Sequence, residues 1–182
     1  MPTPPHAAGS INLRSAARED IPEILALIKE LAAYEREPEA AVATAAQLER
    51  ALFGDPARDG KGAGVAECVM GEIVGQDSEA RVQGMALFFH NFSTWTGKPG
   101  IYLEDLFVRP EARGHGLGKA LLLHLAKLAV ERGCGRLEWA VLDWNAPAIG
   151  FYKSLGAVGL DEWTINRVTG ATLEKLASES RH

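Results

Sequence analysis

Apolar positions recur at two periods along this chain. Ile21, Ile24, Leu25, Ile28 and Leu31 fall three or four apart, which predicts a first helix that ends near Tyr34–Pro38, where the proline halts it. Thr44-Ala45-Ala46-Gln47 reads as a capping box that opens a second helix running to about Phe53. Leu117, Leu121, Leu125 and Leu128 form the stripe of a long third helix that stops at Gly133. Elsewhere the apolar runs are short and extended in character. Ile11 to Arg14, Val65 to Ile73, Arg81 to His90, Tyr102 to Val108, Arg136 to Leu142 and Trp163 to Val168 are strand candidates, with Gly75-Gln76-Asp77-Ser78 turning the second into the third. Asn145 can cap a short helix that Gly156 ends, and Thr172 to Ala177 is a terminal helix. Gly54 to Gly64, and Asn91 to Gly100 with Trp95, read as loops. The order β-α-α-β-β-β-α-β-α-β argues for an α/β (α+β layered) fold, with one mixed sheet flanked by helices. Residues 1–10, rich in proline and alanine, are expected to be a disordered leader, and 11–178 a single domain.

Composition narrows the classes. The chain has 182 residues, enough for one domain with a real core. A formal net charge of -5 argues against nucleic acid as a partner and suits a cationic ligand. No apolar run approaches the roughly 20 residues that span a bilayer, so no membrane association is expected. The N-terminus lacks the basic and apolar regions of a signal peptide. Cys68 and Cys134 are far apart and have no metal-ligand spacing, which reads as reduced thiols and a cytoplasmic protein. The histidines are scattered, no pair has metal spacing, and no metal is expected.

The most informative stretch follows Tyr102-Leu103-Glu104-Asp105-Leu106-Phe107-Val108: the turn Arg113-Gly114-His115-Gly116-Leu117-Gly118-Lys119. Glycines between a strand and a helix let the backbone approach a ligand without Cβ clashes. The first amides of the helix lack internal partners and lie at the positive end of its dipole, so a phosphate or pyrophosphate fits there. A Walker loop is excluded because Gly118-Lys119 is followed by Ala120 and the glycine spacing is wrong. A dinucleotide fingerprint is excluded because the glycines run 114, 116, 118.

Arg113 to Gly118 resembles the R/Q-x-x-G-x-G/A motif of the GNAT acyltransferases, and Asn145 and Tyr152 continue the match. The segments 28–35, 102–105, 141–145 and 151–157 are similar to the diamine (spermidine/spermine) acetyltransferase branch, and the segment 141–145 to its thialysine acetyltransferase relatives. The resemblance implies the GNAT fold, a central, mostly antiparallel mixed sheet. It implies acetyl-CoA as cofactor, a small primary amine as acceptor, and a homodimer. By motif position, Leu106, Phe107 and Val108 would bind the pantetheine arm through their backbone. Arg113, Gly114, His115, Gly116, Leu117, Gly118 and Lys119 would hold the pyrophosphate. Asn145 and Tyr152 would line the thiol end, and Tyr34, Glu35, Glu104 and Trp139 would contact the acceptor. Arg36 stands among the acids of Arg36-Glu37-Pro38-Glu39, a departure from the branch.

An alkyl ammonium with a pKa near 10.4 must lose a proton before it attacks. Strict alternation would put Tyr102, Glu104, Leu106 and Val108 on one face of their strand and Leu103, Asp105 and Phe107 on the other. The family match selects Glu104 as the base, acting through water, and leaves Asp105 a structural role. Tyr152 is the expected general acid for the departing thiolate, and a backbone amide near Phe107 or Val108 is expected to hold the oxyanion. Tyr34 and Glu35 are either an acceptor patch or a solvated helix end. The leading expectation is acetyl transfer to a polyamine or a lysine- or thialysine-like amine. The alternatives are a protein lysine or N-terminal acetyltransferase, and a non-catalytic acetyl-CoA sensor.

Overall fold

The computed structural model describes residues 10–55 and 64–180. The leader (1–9) and most of the expected loop at 54–64 lie outside the described residues. Ser10, assigned to the leader from sequence, instead opens the first strand.

Five strands form one sheet in sequence order: β1 (Ser10–Ser15), β2 (Glu67–Val74), β3 (Ala80–Ser93), β4 (Lys98–Val108) and β5 (Leu137–Trp139). The first four run antiparallel, and β5 pairs in parallel with β4, so the sheet is mixed and mostly antiparallel as expected. The chain divides into two compact units, 1–140 and 141–182. The first holds the sheet with α1 (Ile21–Tyr34), α2 (Ala45–Phe53) and α3 (Leu117–Glu131), and the second holds α4 (Ala146–Ser154) and α5 (Gly170–Ser178).

In the first unit the helices cover both faces of the sheet. Ile21, Ile24 and Leu27 of α1 and Leu48 of α2 pack on Cys68, Met70, Met85 and Phe107. Ile24 and Leu27 are fully buried, and each such side chain stabilises the fold by about 1.5–3 kcal/mol. The other face carries α3, whose Leu117, Leu121, Leu122, Leu125 and Ala129 are buried; Leu128, counted in the stripe from sequence, is only half-buried. Here Gly71 lies close under α3: a Cβ on it would stand 2.9 Å from Leu117 Cδ1, so that buried side chain would have to shift.

Helix starts follow the sequence. The Thr44 hydroxyl accepts from Gln47 N at 3.3 Å, while Gln47 Oε1 accepts from Thr44 N at 2.8 Å. The end of α1 differs. It closes before Pro38, on Arg36 in the left-handed region (φ 68), with Glu37 N donating back to Ala32 O at 2.9 Å. The turn geometry, not the proline, stops this helix.

Three strand boundaries are corrected. Asn91–Gly100 is not a loop, because β3 and β4 stay paired to Ser93↔Lys98 and only a short turn joins them. The polar residues that suggested a loop sit on a hairpin reaching into solvent, where Phe92 is 60% exposed. The strand expected at Arg136–Leu142 shrinks to Leu137–Trp139. Trp163–Val168 forms no strand, although its residues favour one. Strand propensity alone does not make a strand without a pairing partner, and this segment pairs with none of the described strands.

Ion pairs lock the layers of the first unit. Arg14 links Asp20 at 2.6 Å to the buried Glu72 at 2.6 Å. Its guanidinium holds the Asp20 carboxyl below the usual carboxylate range. Arg109, just after β4, binds Glu23 and Glu30 of α1, each at 2.8 Å, and so fixes α1 to the end of β4.

Candidate active site

The site is built on the second half of β4. β5 pairs only with Ile101, Leu103 and the residue between them, so from Glu104 to Val108 one edge of β4 has no strand beside it among the described residues. Backbone groups along that edge have no strand to pair with, and the carbonyl of Val108 at its end accepts from Arg113 Nε at 2.9 Å.

The change occurs at a bulge. Across β3, Leu87 faces Asp105 and Phe88 faces Leu103, which leaves Glu104 as an extra residue. The alternation expected from sequence is overturned here. Tyr102 lies opposite Phe89 and Asp105 opposite Leu87, so Tyr102 shares its face with Asp105 and Phe107, the side covered by α1. Leu103 turns to the opposite face with Leu106. Glu104 is exposed, while Asp105 is largely buried. Nothing in the sequence reveals the bulge except an adjacent pair of acids inside an apolar strand.

The two carboxylates consequently differ. Burial pushes the Asp105 carboxyl up to about 6, and the negative charges of Glu104 and Glu35 add to the shift. Glu35, which caps the C-terminal end of α1, is also raised by burial. Of the expected acceptor contacts, Glu35 and Glu104 thus act electrostatically on one point, Asp105. Trp139 ends β5 opposite Leu103, immediately before the bulge.

The glycine turn follows. Gly114 (φ 79) and Gly116 (φ 86) both need the left-handed region, which explains two of the three glycines. Gly116 is the N-cap of α3 and no side chain caps the helix, so the amides of Leu117, Gly118 and Lys119 are open to an anion. A Cβ at Gly118 would meet only Val108 Cγ2, at 3.7 Å, so the chain itself does not require glycine there. His115 and Lys119 are exposed beside the turn.

Arg113 occupies a position that the sequence did not suggest. Its Nε donates to Val108 O at 2.9 Å, and its guanidinium carbon lies 4.6 Å from the ring centre of Tyr34 and 5.8 Å from that of Phe107. The turn therefore touches the end of α1, joining two groups of residues that were assigned to different ligands.

Asn145 and Tyr152 belong to the second unit and are described within it. Asn145 Oδ1 accepts from Ala148 N at 3.3 Å, so the expected cap is present. Tyr152 is half-buried on α4, its ring 5.2 Å from that of Phe151. Both cysteines are free, and burial pushes the Cys68 thiol up to about 12, so it is not poised as a nucleophile. Among the described residues no cluster of histidine, cysteine, aspartate or glutamate could hold a metal ion. No helix among them is long and apolar enough to cross a membrane.

The model of the acetyltransferase (GNAT) family matches residues 32–157, which span the end of α1, the bulged strand, the glycine turn and α4. The chain belongs to this family. As an acetyltransferase it is 35% identical over 175 residues to a thialysine N-epsilon-acetyltransferase of Bos taurus, covering 93% of this chain and 98% of the relative. It is 46% identical over 95 residues to an L-ornithine N5-acetyltransferase of Arabidopsis thaliana, covering 52% of this chain and 42% of the relative. An integron cassette protein from the mobile metagenome of V. cholerae superposes with a TM-score of 0.72 at 28% identity, covering 93% of this chain and 99% of the other.

Proposed function

We propose that this acetyltransferase moves acetyl from acetyl-CoA directly to the terminal amine of a small amino acid of the thialysine or ornithine type. The observation that carries the reading is one stretch of chain in which an open strand edge and an uncapped helix start adjoin a wall of carboxylates. An anionic donor fits the former and an ammonium acceptor the latter. The free edge at Leu106, Phe107 and Val108, the open amides of Leu117, Gly118 and Lys119, and the charge of Arg113 suit a pantetheine arm ending in phosphates. When bound, acetyl-CoA supplies an activated thioester.

The remaining steps fall to the chain. Glu104, exposed at the bulge, meets the ammonium. Asp105, with its carboxyl raised to about 6, holds the proton that leaves it, so the role assigned to Glu104 alone from sequence is shared between neighbours. An amide near Phe107 or Val108 steadies the developing negative charge. Tyr152 returns a proton to the departing sulfur. The named activities of the relatives support an amino-acid acceptor, and Arg36 is the residue through which an acceptor carboxylate would be selected over a polyamine.

We assign the enzyme to the cytoplasm, acting as a homodimer. Trp163 and Ile165, 68% and 73% exposed in a segment with strand character but no strand partner, are the surface that a second copy would cover. Light scattering should give twice the mass of 19.6 kDa, and Trp163→Ser with Ile165→Ser should give the monomer.

The deciding experiment is thiol release from acetyl-CoA with thialysine, ornithine, lysine, spermidine and a lysine-containing peptide. Thialysine or ornithine should lead. Tyr152→Phe should lose at least about a hundredfold in turnover while still binding acetyl-CoA. A protein that binds acetyl-CoA but acetylates no amine would be a sensor, and the reading would fail.

A further inference from the structure

Arg113 carries an inference that rests on the function proposed above and goes beyond it. As an exposed cation in the glycine turn, it would ordinarily point into solvent or pair with an acid. It forms no ion pair with a carboxylate among the described residues. Its Nε is tied to the carbonyl of Val108 at 2.9 Å, and its flat guanidinium lies over Tyr34 at 4.6 Å. Both partners are neutral, so the positive charge is held but not balanced. One residue further on begins the turn that leads to the uncapped amides of α3, where an anion would be favoured.

The place that Arg113 covers matters as much as its charge. Tyr34 is the last residue of α1, and Glu35 beside it acts electrostatically on Asp105. An alkyl ammonium entering this wall would use an aromatic face and a carboxylate together. With Arg113 across Tyr34, that face is occupied by a cation of the same sign as the acceptor. A phosphate at the glycine turn offers Arg113 two charged oxygens in place of one carbonyl and one ring, a stronger, bidentate arrangement for a guanidinium.

We infer that Arg113 is a positioning residue shared by donor and acceptor: in the empty protein it screens Tyr34 against ammonium, and a phosphate bound at the glycine turn draws it away and opens the acceptor wall. Donor binding therefore raises acceptor affinity, and by linkage the acceptor raises donor affinity by the same factor.

The test uses CoA, which carries the phosphates but no acetyl group, so that no turnover occurs. Thialysine binding is measured by calorimetry with and without saturating CoA, on the full chain and on Arg113→Ala and Arg113→Lys. In the wild type, CoA should improve thialysine affinity about tenfold or more. Arg113→Ala should bind thialysine without CoA about as tightly as the wild type does with it. Arg113→Lys, which keeps the charge but not the flat stack, should fall between. The CoA-free affinity of Arg113→Ala decides the matter even if that variant binds CoA weakly. Arg113 is exposed, and unchanged thermal unfolding would show that the variants fold. A wild type that acetylates thialysine but gains no affinity from CoA overturns the inference, as does a full gain that persists in Arg113→Ala. A wild type that acetylates no amine overturns the proposed function and the inference together.

Discussion

The two halves of β4 are one strand under two regimes. From Ile101 to Leu103 it is paired on both sides, by β3 and by β5, and its apolar side chains are 0–1% exposed. From Glu104 to Val108 it is paired only by β3, begins with a bulge, and carries two adjacent acids. The first half is ordered by burial and completed hydrogen bonds. The second is open along one edge and holds a raised carboxyl, two features of a candidate ligand site. The closed and the open half of this strand meet at Glu104.

Deleting Glu104 tests that division most severely. The residues on either side already face Phe88 and Leu87 in turn, so removing the bulge should keep every core side chain in register. Turnover should fall by about a thousandfold while denaturant unfolding changes little. An equal collapse of both would mean that the bulge is a folding feature. In the paired half, Leu103→Ala should cost about 3 kcal/mol by chemical denaturation. Leu106→Ala, half-buried in the open half, should cost much less.

Asp105→Asn sharpens the contrast through pH. The folded protein holds the Asp105 carboxyl at about 6 against an ordinary value of 3.8, so between those values the folded state binds the proton more tightly than the unfolded one. The group's favourable contribution is complete below pH 3.8 and is lost as pH rises through about 6. Asp105→Asn should therefore raise stability by about 2–3 kcal/mol at pH 8, with the gain vanishing near pH 3. It should also remove the acid limb of the rate profile near pH 6. A variant no more stable than the wild type at pH 8 would mean that the carboxyl is not desolvated. The smallest effect is expected at Gly118→Ala. With only a 3.7 Å contact to Val108, it should leave stability within about 0.5 kcal/mol. CoA affinity should nevertheless fall if a ligand approaches the backbone closely here, because a methyl then stands where glycine left space.

The helices were legible in the sequence because their signals are local: the Thr44 and Asn145 caps, and the leucine stripe of α3. Strand limits were not, because pairing depends on distant partners. Asn91 and Ser93 look like loop residues until Gly100 and Lys98 pair with them, and Trp163–Val168 looks like a strand but pairs with no described strand. In the site, Gly114 and Gly116 could be read directly, since few residues other than glycine tolerate their backbone. The faces of Glu104 and Asp105 could not, because the bulge exists only in the register with β3. Nor could the contact of Arg113 with Tyr34, which joins distant parts of the chain.

The open edge of β4 has a consequence for crowded solutions. An unpaired strand edge is a template on which any stray extended chain can add, the first step toward aggregates. On the function proposed above, this edge must stay open to receive its donor. Its guard is the kink and charge at its entrance: the bulge twists the strand out of the flat geometry a new strand would need, and Glu104 and Asp105 oppose the burial of an apolar segment beside them. The residues that suit the edge to a slender ligand also make it a poor seat for a foreign strand.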